Sequence, residues 1–402
     1  MPSDSCFRHR RPAGRTDAAS SRDHIQRIEG EQMKTIAAVL YEAGKPFEIE
    51  ELEVVKPDAN EVLVRYDYSG LCHSDLHMVK GHLPFRPPMV FGHEAAGEIL
   101  EVGSKVSRLA PGDHFVASFF PVCGRCRWCV TGNSRLCDMG ANGLDGFLPG
   151  GRFPFQGKNG DYGSMMTLGT FSQYATVHEN SVVRIDDDLP LDKAALVGCG
   201  VPTGWGSAVN SAGVRPGDTV VIYGIGGIGV NAVQGAAYAG AQHLIAVDPE
   251  PAKLEAAKKF GATHTAGSAA EAQDLVIELT RGVGADSTII TVDELTAQVV
   301  SDAAAATSKG GTIVVTSMGQ YETDTISLSG VQLALWGKRI QGSLYGGCNP
   351  MYDIPKILSL YRTGHVKLDE LITNVYTLDQ VNQGYDDLMA HKNIRGVIAH
   401  EH

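Results

Sequence analysis

The chain of 402 residues carries a formal charge of −12, 43% apolar residues and eight cysteines. That length exceeds what one hydrophobic core usually organises, so two domains of roughly 150 to 250 residues are expected. The acidic balance argues against nucleic acid as the main partner. No apolar run approaches the roughly 18 residues that span a bilayer, so the sequence reads as that of a soluble, cytoplasmic protein with no membrane partner.

Residues 1–32 mix Arg8, Arg10, Arg11, Arg15, Arg22 and Arg27 with Ser, Asp and Ala, without apolar periodicity. This extension is expected to be disordered, and Asp4, Asp17, Asp23, Glu29 and Glu31 do not suit a transit peptide. The folded chain is expected to begin at Met33, where MKTIAAVLYE opens a strand-like pattern. From there to about Val201 short apolar runs are broken by turn residues, as in ILEVGSKVSRLAPGDHFV, and the segment reads as predominantly β. From about Gly213 the pattern becomes TVVIYG, a helix from Asn231 to Ala239, LIAVD, a helix from Ala252 to Phe260, STIITVD, another helix and TIVVTS. Such alternation implies a parallel sheet covered by helices on both faces. After Gly347 a helix around Ile354 to Arg362 and a strand near Gly396 to Ala399 are expected to pack back on the first half. The expected class is mixed α/β, with residues 33–201 and 346–402 in one domain and 202–345 in the other.

Cys123, Cys126, Cys129 and Cys137 stand in CGRCRWCVTGNSRLC, whose short intervals bring four thiolates within reach of one tetrahedral Zn²⁺. Four Cys ligands leave no open coordination position, so this site is structural. A disulfide framework is disfavoured: the chain is long, lacks a secretory apolar region and spaces its thiols as metal ligands. A reducing compartment follows. Arg125, Arg127 and Arg135 in the same lobe read as a solvated loop surface rather than a nucleic-acid contact.

In TVVIYGIGGIGVNAVQG, Gly224, Gly226 and Gly229 fall in GxGxxG order between a strand and a helix, and Asp248 ends the next strand 19 residues after Gly229. The three glycines allow a tight turn, close approach of a pyrophosphate and close packing of helix on sheet, and the carboxylate accepts hydrogen bonds from a ribose. Asp248, followed by Pro249 and Glu250, would repel a 2′-phosphate, which favours NAD over NADP. A second metal set lies in GLCHSDLH, FGHEAAG and LVGCGVPTGWG. Cys72, His93 and Cys199 make a Cys₂His group with a fourth position left for water or substrate, the catalytic pattern for zinc.

From Met33 onward the chain resembles the zinc-dependent medium-chain alcohol dehydrogenases, through GHEAAG, the four-cysteine lobe and the GIGGIG turn together. The resemblance implies a GroES-like β catalytic domain and a Rossmann domain with the active site between them. It also implies two Zn²⁺ per subunit, NAD, and a homodimer or homotetramer joined along the strand RIQGSLYGG. By motif match the catalytic zinc ligands are Cys72, His93 and Cys199, and Asp75 is the carboxylate that orients the ligand His. The coenzyme set is His73, Thr203, Gly224, Gly226, Gly227, Ile228, Gly229, Asp248, Lys253 and Arg395, with Thr203 against the nicotinamide and His73 and Arg395 at the pyrophosphate. Phe119 falls in the alcohol pocket. Ser74 and His77 form a proton relay, and Glu94 is either an outer charge or a transient zinc ligand.

The thiol-adduct (formaldehyde) branch of the family is disfavoured. It has Tyr where His77 stands, acidic residues in place of GHLPFRPP, and Arg in place of Asp138 after the fourth lobe cysteine. A zinc-free reductase is disfavoured by both metal sets, and a non-catalytic zinc protein by the coenzyme motif beside them. The glycine-rich stretch from Ala141 to Gly169 is longer than is usual and, with CGVPTGWGSAV and PVCGRCRWC, resembles the bacterial nicotinoprotein subgroup. In that subgroup, assayed with nitrosoaniline acceptors, NAD stays bound between turnovers and an external electron acceptor regenerates it. The stretch is expected either to cap the cleft or an oligomer interface, or to be a surface insertion.

Overall fold

The structure, a computed structural model, describes residues 33–319 and 326–402. The N-terminal extension expected to be disordered, Cys6 included, lies outside the described residues. Strand Lys34–Leu40 pairs antiparallel with Glu48–Val54, and a closed barrel is completed by Phe155–Gly157, Gly160–Ser164 and Met89–Val90. Along Glu48–Val54, Leu52 and Val54 point inward while Glu48, Glu51 and Glu53 face water, the period of two that a half-buried strand requires. The stretch 141–169 is therefore no surface insertion. Two of its segments are staves of the barrel, and Leu148, Phe155 and Tyr162 are fully buried. Its many glycines masked these spaced apolar anchors.

A second, seven-stranded sheet is built around Glu61–Gly70, the longest strand, with Ala95–Val102, Tyr174–His178 and the C-terminal Arg395–Ala399 antiparallel to it. The third sheet has six parallel strands, in the order His264–Ala266, His243–Val247, Thr219–Tyr223, Ala285–Ile290, Thr307–Val315, Arg339–Gly342. In chain order this is 3-2-1-4-5-6, the doubly wound arrangement whose crevice lies where the winding reverses, between strands one and four. Every residue of Thr219–Tyr223 is buried, as expected of a strand covered on both faces. Helices Gly229–Tyr238 and Pro251–Lys259 follow the reading within two residues, whereas Pro350–Arg362 begins four residues earlier than Ile354, set by an Asn349 cap and Pro350 in its first turn.

The expected strand RIQGSLYGG is shorter than its apolar pattern suggested. It ends at Gly342 and gives way to a 3₁₀ turn, Leu344–Gly347, in which Tyr345 has φ 54° and cannot extend the sheet. One apolar core runs from the second sheet (Ala96, Val116, Val397) through Trp205 to the parallel sheet (Val220, Ile222, Val314). Helix Gly200–Gly206 crosses that junction and is buried at every position. Among the described residues no helix is long and apolar enough to cross a membrane.

Candidate active site

Three separate turns deliver the first metal set. Cys72 precedes helix His73–Val79, His93 sits in the turn between Met89–Val90 and Ala95–Val102, and Cys199 precedes helix Gly200–Gly206. One ligand atom from each of Cys72, His93, Glu94 and Cys199 falls within 4.8 Å of all the others. His93 Nδ1 stands 3.1 Å from Asp75 Oδ1, while the buried Nε2 has no hydrogen-bond partner among the described residues. Because a carboxylate only accepts, Nδ1 carries the proton and the Nε2 lone pair is left for a metal. A hydrogen bond from Cys199 holds the Cys72 thiol well below its usual range against the opposing effect of burial, with His93 assisting. The donor chemistry fits zinc.

The second set is held by its own loop. Sulfur separations are 3.9 Å for Cys123–Cys129, 3.6 Å for Cys126–Cys129 and 3.9 Å for Cys126–Cys137. Four sulfurs about 2.3 Å from one ion would lie about 3.8 Å apart. Backbone N–H groups of Arg125 and Cys126 donate to Cys123 Sγ at 3.5 and 3.3 Å, and that of Cys123 donates to Cys137 Sγ at 3.3 Å. These amides favour thiolates. The seven described cysteines form no disulfide.

A cavity of about 830 Å³ runs from His93 and Cys199, past Thr203, to Gly224, Gly226, Gly227, Ile228, Asp248 and Lys253. At its far end Asp248 accepts from the N–H of Ile225 at 2.8 Å and of Glu250 at 3.0 Å, with Lys253 Nζ 3.8 Å away. The turn needs glycine: a Cβ on Gly229 would stand 1.9 Å from the Gly224 carbonyl oxygen. Thr203 Oγ1 donates to the Cys199 carbonyl at 2.7 Å. His73 Nε2 lies 3.3 Å from Asp293, in the bend that follows the fourth parallel strand, and burial lowers the His73 pKa although Asp293 opposes.

Around the metal end, Phe119 packs edge-on to His93 at 5.3 Å and 83°, and Tyr345 packs edge-on to Phe119 at 5.3 Å and 87°. Phe120, Met165 and Met166 extend this apolar wall. Ser74 Oγ is 3.6 Å from Cys72 Sγ. Ser74 and His77 both line the cavity, but His77 Nδ1 faces His82 Nδ1 at 3.2 Å rather than Ser74.

Glu94 and Arg395 form a buried ion pair behind the metal set. Arg395 is 4% exposed, its guanidinium pairs with Glu94, and its stem lies under Gly227, 2.7 Å from where a Cβ there would be. The other Glu94 oxygen accepts from the Gly200 N–H at 3.1 Å. Burial pushes the Glu94 carboxyl up to about 8 against the pull of Arg395.

Comparison with known proteins agrees with this geometry. Residues 58–187 match the alcohol dehydrogenase GroES-like domain and residues 227–362 the zinc-binding dehydrogenase domain. The chain is 57% identical to the NDMA-dependent alcohol dehydrogenase of Amycolatopsis methanolica, over 92% of this chain and 99% of that one. It is 45% identical to alcohol dehydrogenase B of Mycobacterium tuberculosis, over 91% and 98%. The chain belongs to the zinc-dependent medium-chain alcohol dehydrogenases. Among solved structures, benzyl alcohol dehydrogenase from Acinetobacter calcoaceticus is 31% identical with a TM-score of 0.86, covering 92% of this chain and 100% of that one. The mixed α/β architecture, a GroES-like part and a Rossmann-like parallel sheet, is that of the family.

As an alcohol dehydrogenase the chain acts on small-molecule alcohols with zinc and a nicotinamide coenzyme. Most residues that the motifs singled out line one cleft, while Cys72, Asp75, Glu94, Gly229 and Arg395 stand behind its wall and the four-cysteine lobe lies apart from it. His82, Asp293, Phe120 and Tyr345 had no expected role. The buried Arg395–Glu94 pair gives a test by denaturant unfolding. Arg395→Met should destabilise by about 3 kcal/mol at alkaline pH. The loss should shrink towards pH 5, where the stranded carboxyl takes a proton: its folded-state pKa lies above the unfolded value, so its penalty grows only as pH rises through that interval.

Proposed function

We propose that the cleft oxidises an aromatic or similarly bulky apolar alcohol with NAD, using a catalytic zinc at Cys72, His93 and Cys199 and a structural zinc at the four-cysteine lobe. The observation that carries this is the orphaned His93 Nε2, set between two thiols at one end of a cleft whose other end is the glycine turn and Asp248. Zinc supplies Lewis acidity toward an alcohol oxygen, and NAD supplies the hydride acceptor. Asp75 orients His93 through Nδ1. Phe119, Phe120 and Tyr345 exclude water and offer ring faces and edges to an aromatic group, which suits the likeness to an enzyme named for benzyl alcohol. Ser74 Oγ accepts the hydroxyl proton only as it passes its own proton on, and His77, on the same helix, moves a proton outward. Arg395 braces Glu94 and the glycine turn from behind.

The exposed edge strand Arg339–Gly342 and helix Gly330–Trp336, with Leu335 78% and Val331 62% exposed, support assembly as a homodimer or homotetramer. We assign residues 33–201 with 346–402 to the catalytic domain, 202–345 to the coenzyme domain, and the protein to the cytoplasm.

Metal analysis should give two Zn²⁺ per subunit. Cys72→Ala should lose one ion and turnover while the protein stays folded. Cys126→Ala should lose the other ion and chiefly lower the melting temperature, because that site orders a long loop. Fewer than two ions in carefully prepared protein would exclude the scheme.

Coenzyme choice rests on Asp248. Changing Asp248 to Gly should weaken NAD binding and raise the relative use of NADP, read as the ratio of kcat/KM for the two coenzymes. A preference for NADP in the unmodified chain would contradict the assignment.

The 141–169 stretch contributes Ala141, Gly143, Leu144, Met165 and Met166 to the cleft wall, and a wall closed over the coenzyme slows its dissociation. NAD should therefore remain bound through purification and be reoxidised in place by an external electron acceptor. Denaturation should release close to one nicotinamide coenzyme per subunit. A much lower yield, with brisk reduction of added NAD, would return the enzyme to the dissociable-coenzyme class.

A further inference from the structure

The short helix His73–Val79 ends in a turn that decides what His77 touches. Lys80 is the C-cap and Gly81 follows with φ 76°. The N–H of Gly81 donates to the Met78 carbonyl at 2.9 Å and that of His82 to the His77 carbonyl at 2.8 Å. These are the two bonds of a Schellman motif, which brings the side chain two residues beyond the cap against the one three residues from the helix end, usually as an apolar contact. Here those two side chains are both imidazoles. Their Nδ1 atoms are 3.2 Å apart and their rings 5.4 Å apart at 46°.

Two facing ring nitrogens at hydrogen-bond distance hold one proton between them, donated by one ring and accepted by the other. His77 lines the cleft, and with Nδ1 turned to His82 its Nε2 remains for the cleft side. His82 is half-buried in the loop behind it. The geometry points to His82 as a further relay residue, which takes the proton from His77 and releases it to solvent. When His77 Nε2 gains a proton from the cleft, its Nδ1 proton passes to His82 Nδ1, and the Nε2 proton of His82 leaves to water. Each transfer breaks one N–H bond and forms another, and no electron moves. The charged groups facing His77 are Asp293, His73 and Lys80 besides His82: Asp293 favours its cation, the others oppose it, and burial opposes it most. A second base that carries the charge away relieves that opposition.

This inference rests on the relay assigned above to Ser74 and His77, and it is tested with the full-length zinc enzyme. Turnover against pH is measured for the unmodified protein, His77→Gln, His82→Gln and the double variant. His82→Gln should lower turnover about tenfold at about pH 6.5 and less than about twofold at about pH 9, where hydroxide replaces the relay, with recovery on adding imidazole. The double variant should match His77→Gln within about twofold, because the two residues act in series. A readout independent of turnover is the titration of the rings by NMR with labelled histidine. His77 should titrate at higher pH in His82→Gln than in the unmodified protein, because the cationic His82 ring opposes the His77 cation. If His77→Gln alters the pH profile while His82→Gln leaves both the profile and the His77 titration unchanged, the extension is overturned and the relay stands. An unchanged profile in His77→Gln overturns both.

Discussion

The Glu94 carboxylate is the joint on which the site depends. It follows His93, a proposed metal ligand, accepts from the N–H of Gly200, which follows Cys199 of the same set, and pairs with Arg395, whose stem supports Gly227 of the glycine turn. Three chain segments, each carrying part of the chemistry, thus meet on two oxygens. Gly70 makes room for the meeting, since a Cβ there would stand 2.2 Å from Glu94 Oε2. A buried pair of this kind is held by geometry as much as by charge, because removing either partner strands the other away from water. The arrangement links the position of His93 and Cys199 to that of the glycine turn.

The parts of this site that could be read from the sequence are those whose chemistry is enforced within one turn of chain. The four lobe cysteines lie within 15 residues, and their backbone amides point at their own sulfurs, so spacing alone specifies the cage. The glycine turn is similar: strand, turn, helix and the terminal Asp248 belong to one unit, and a Cβ at Gly229 cannot be accommodated whatever surrounds it. Cys72, His93 and Cys199 are far apart in sequence, yet each is marked by its own local motif. The parallel sheet was legible for a related reason: strands buried on both faces are unbroken apolar runs, as in Thr219–Tyr223.

What escaped the sequence is what only tertiary register decides. Arg395 and Glu94 are 301 residues apart, and nothing local tells whether a buried arginine faces a phosphate or a carboxylate. Asp293 stands in a bend three residues after the strand Ala285–Ile290 and meets His73 only because that bend packs beside it. Tyr345 sits in a stretch that reads as extended, but its left-handed backbone turns the ring onto Phe119. In the 141–169 stretch, glycines dominate the composition, while Phe155 and Tyr162 close a barrel whose other staves come from residues 34–90.

The same reasoning explains why the two halves of the cleft keep a fixed relation. Cys199 and Thr203 are four residues apart, so one helical turn sets both on the cleft side, and the Thr203 hydroxyl is tied back to the Cys199 carbonyl. One residue further, Gly204 lies so close to the coenzyme helix that a Cβ would come within 2.1 Å of the Ile228 carbonyl oxygen. Trp205, fully buried, then anchors the turn in the core shared by the second sheet and the parallel sheet. One short helix thereby sets Cys199, the Thr203 hydroxyl and the contact with the glycine turn. Hydride transfer, whose rate depends on distances held to a fraction of an ångström, is served by that rigidity.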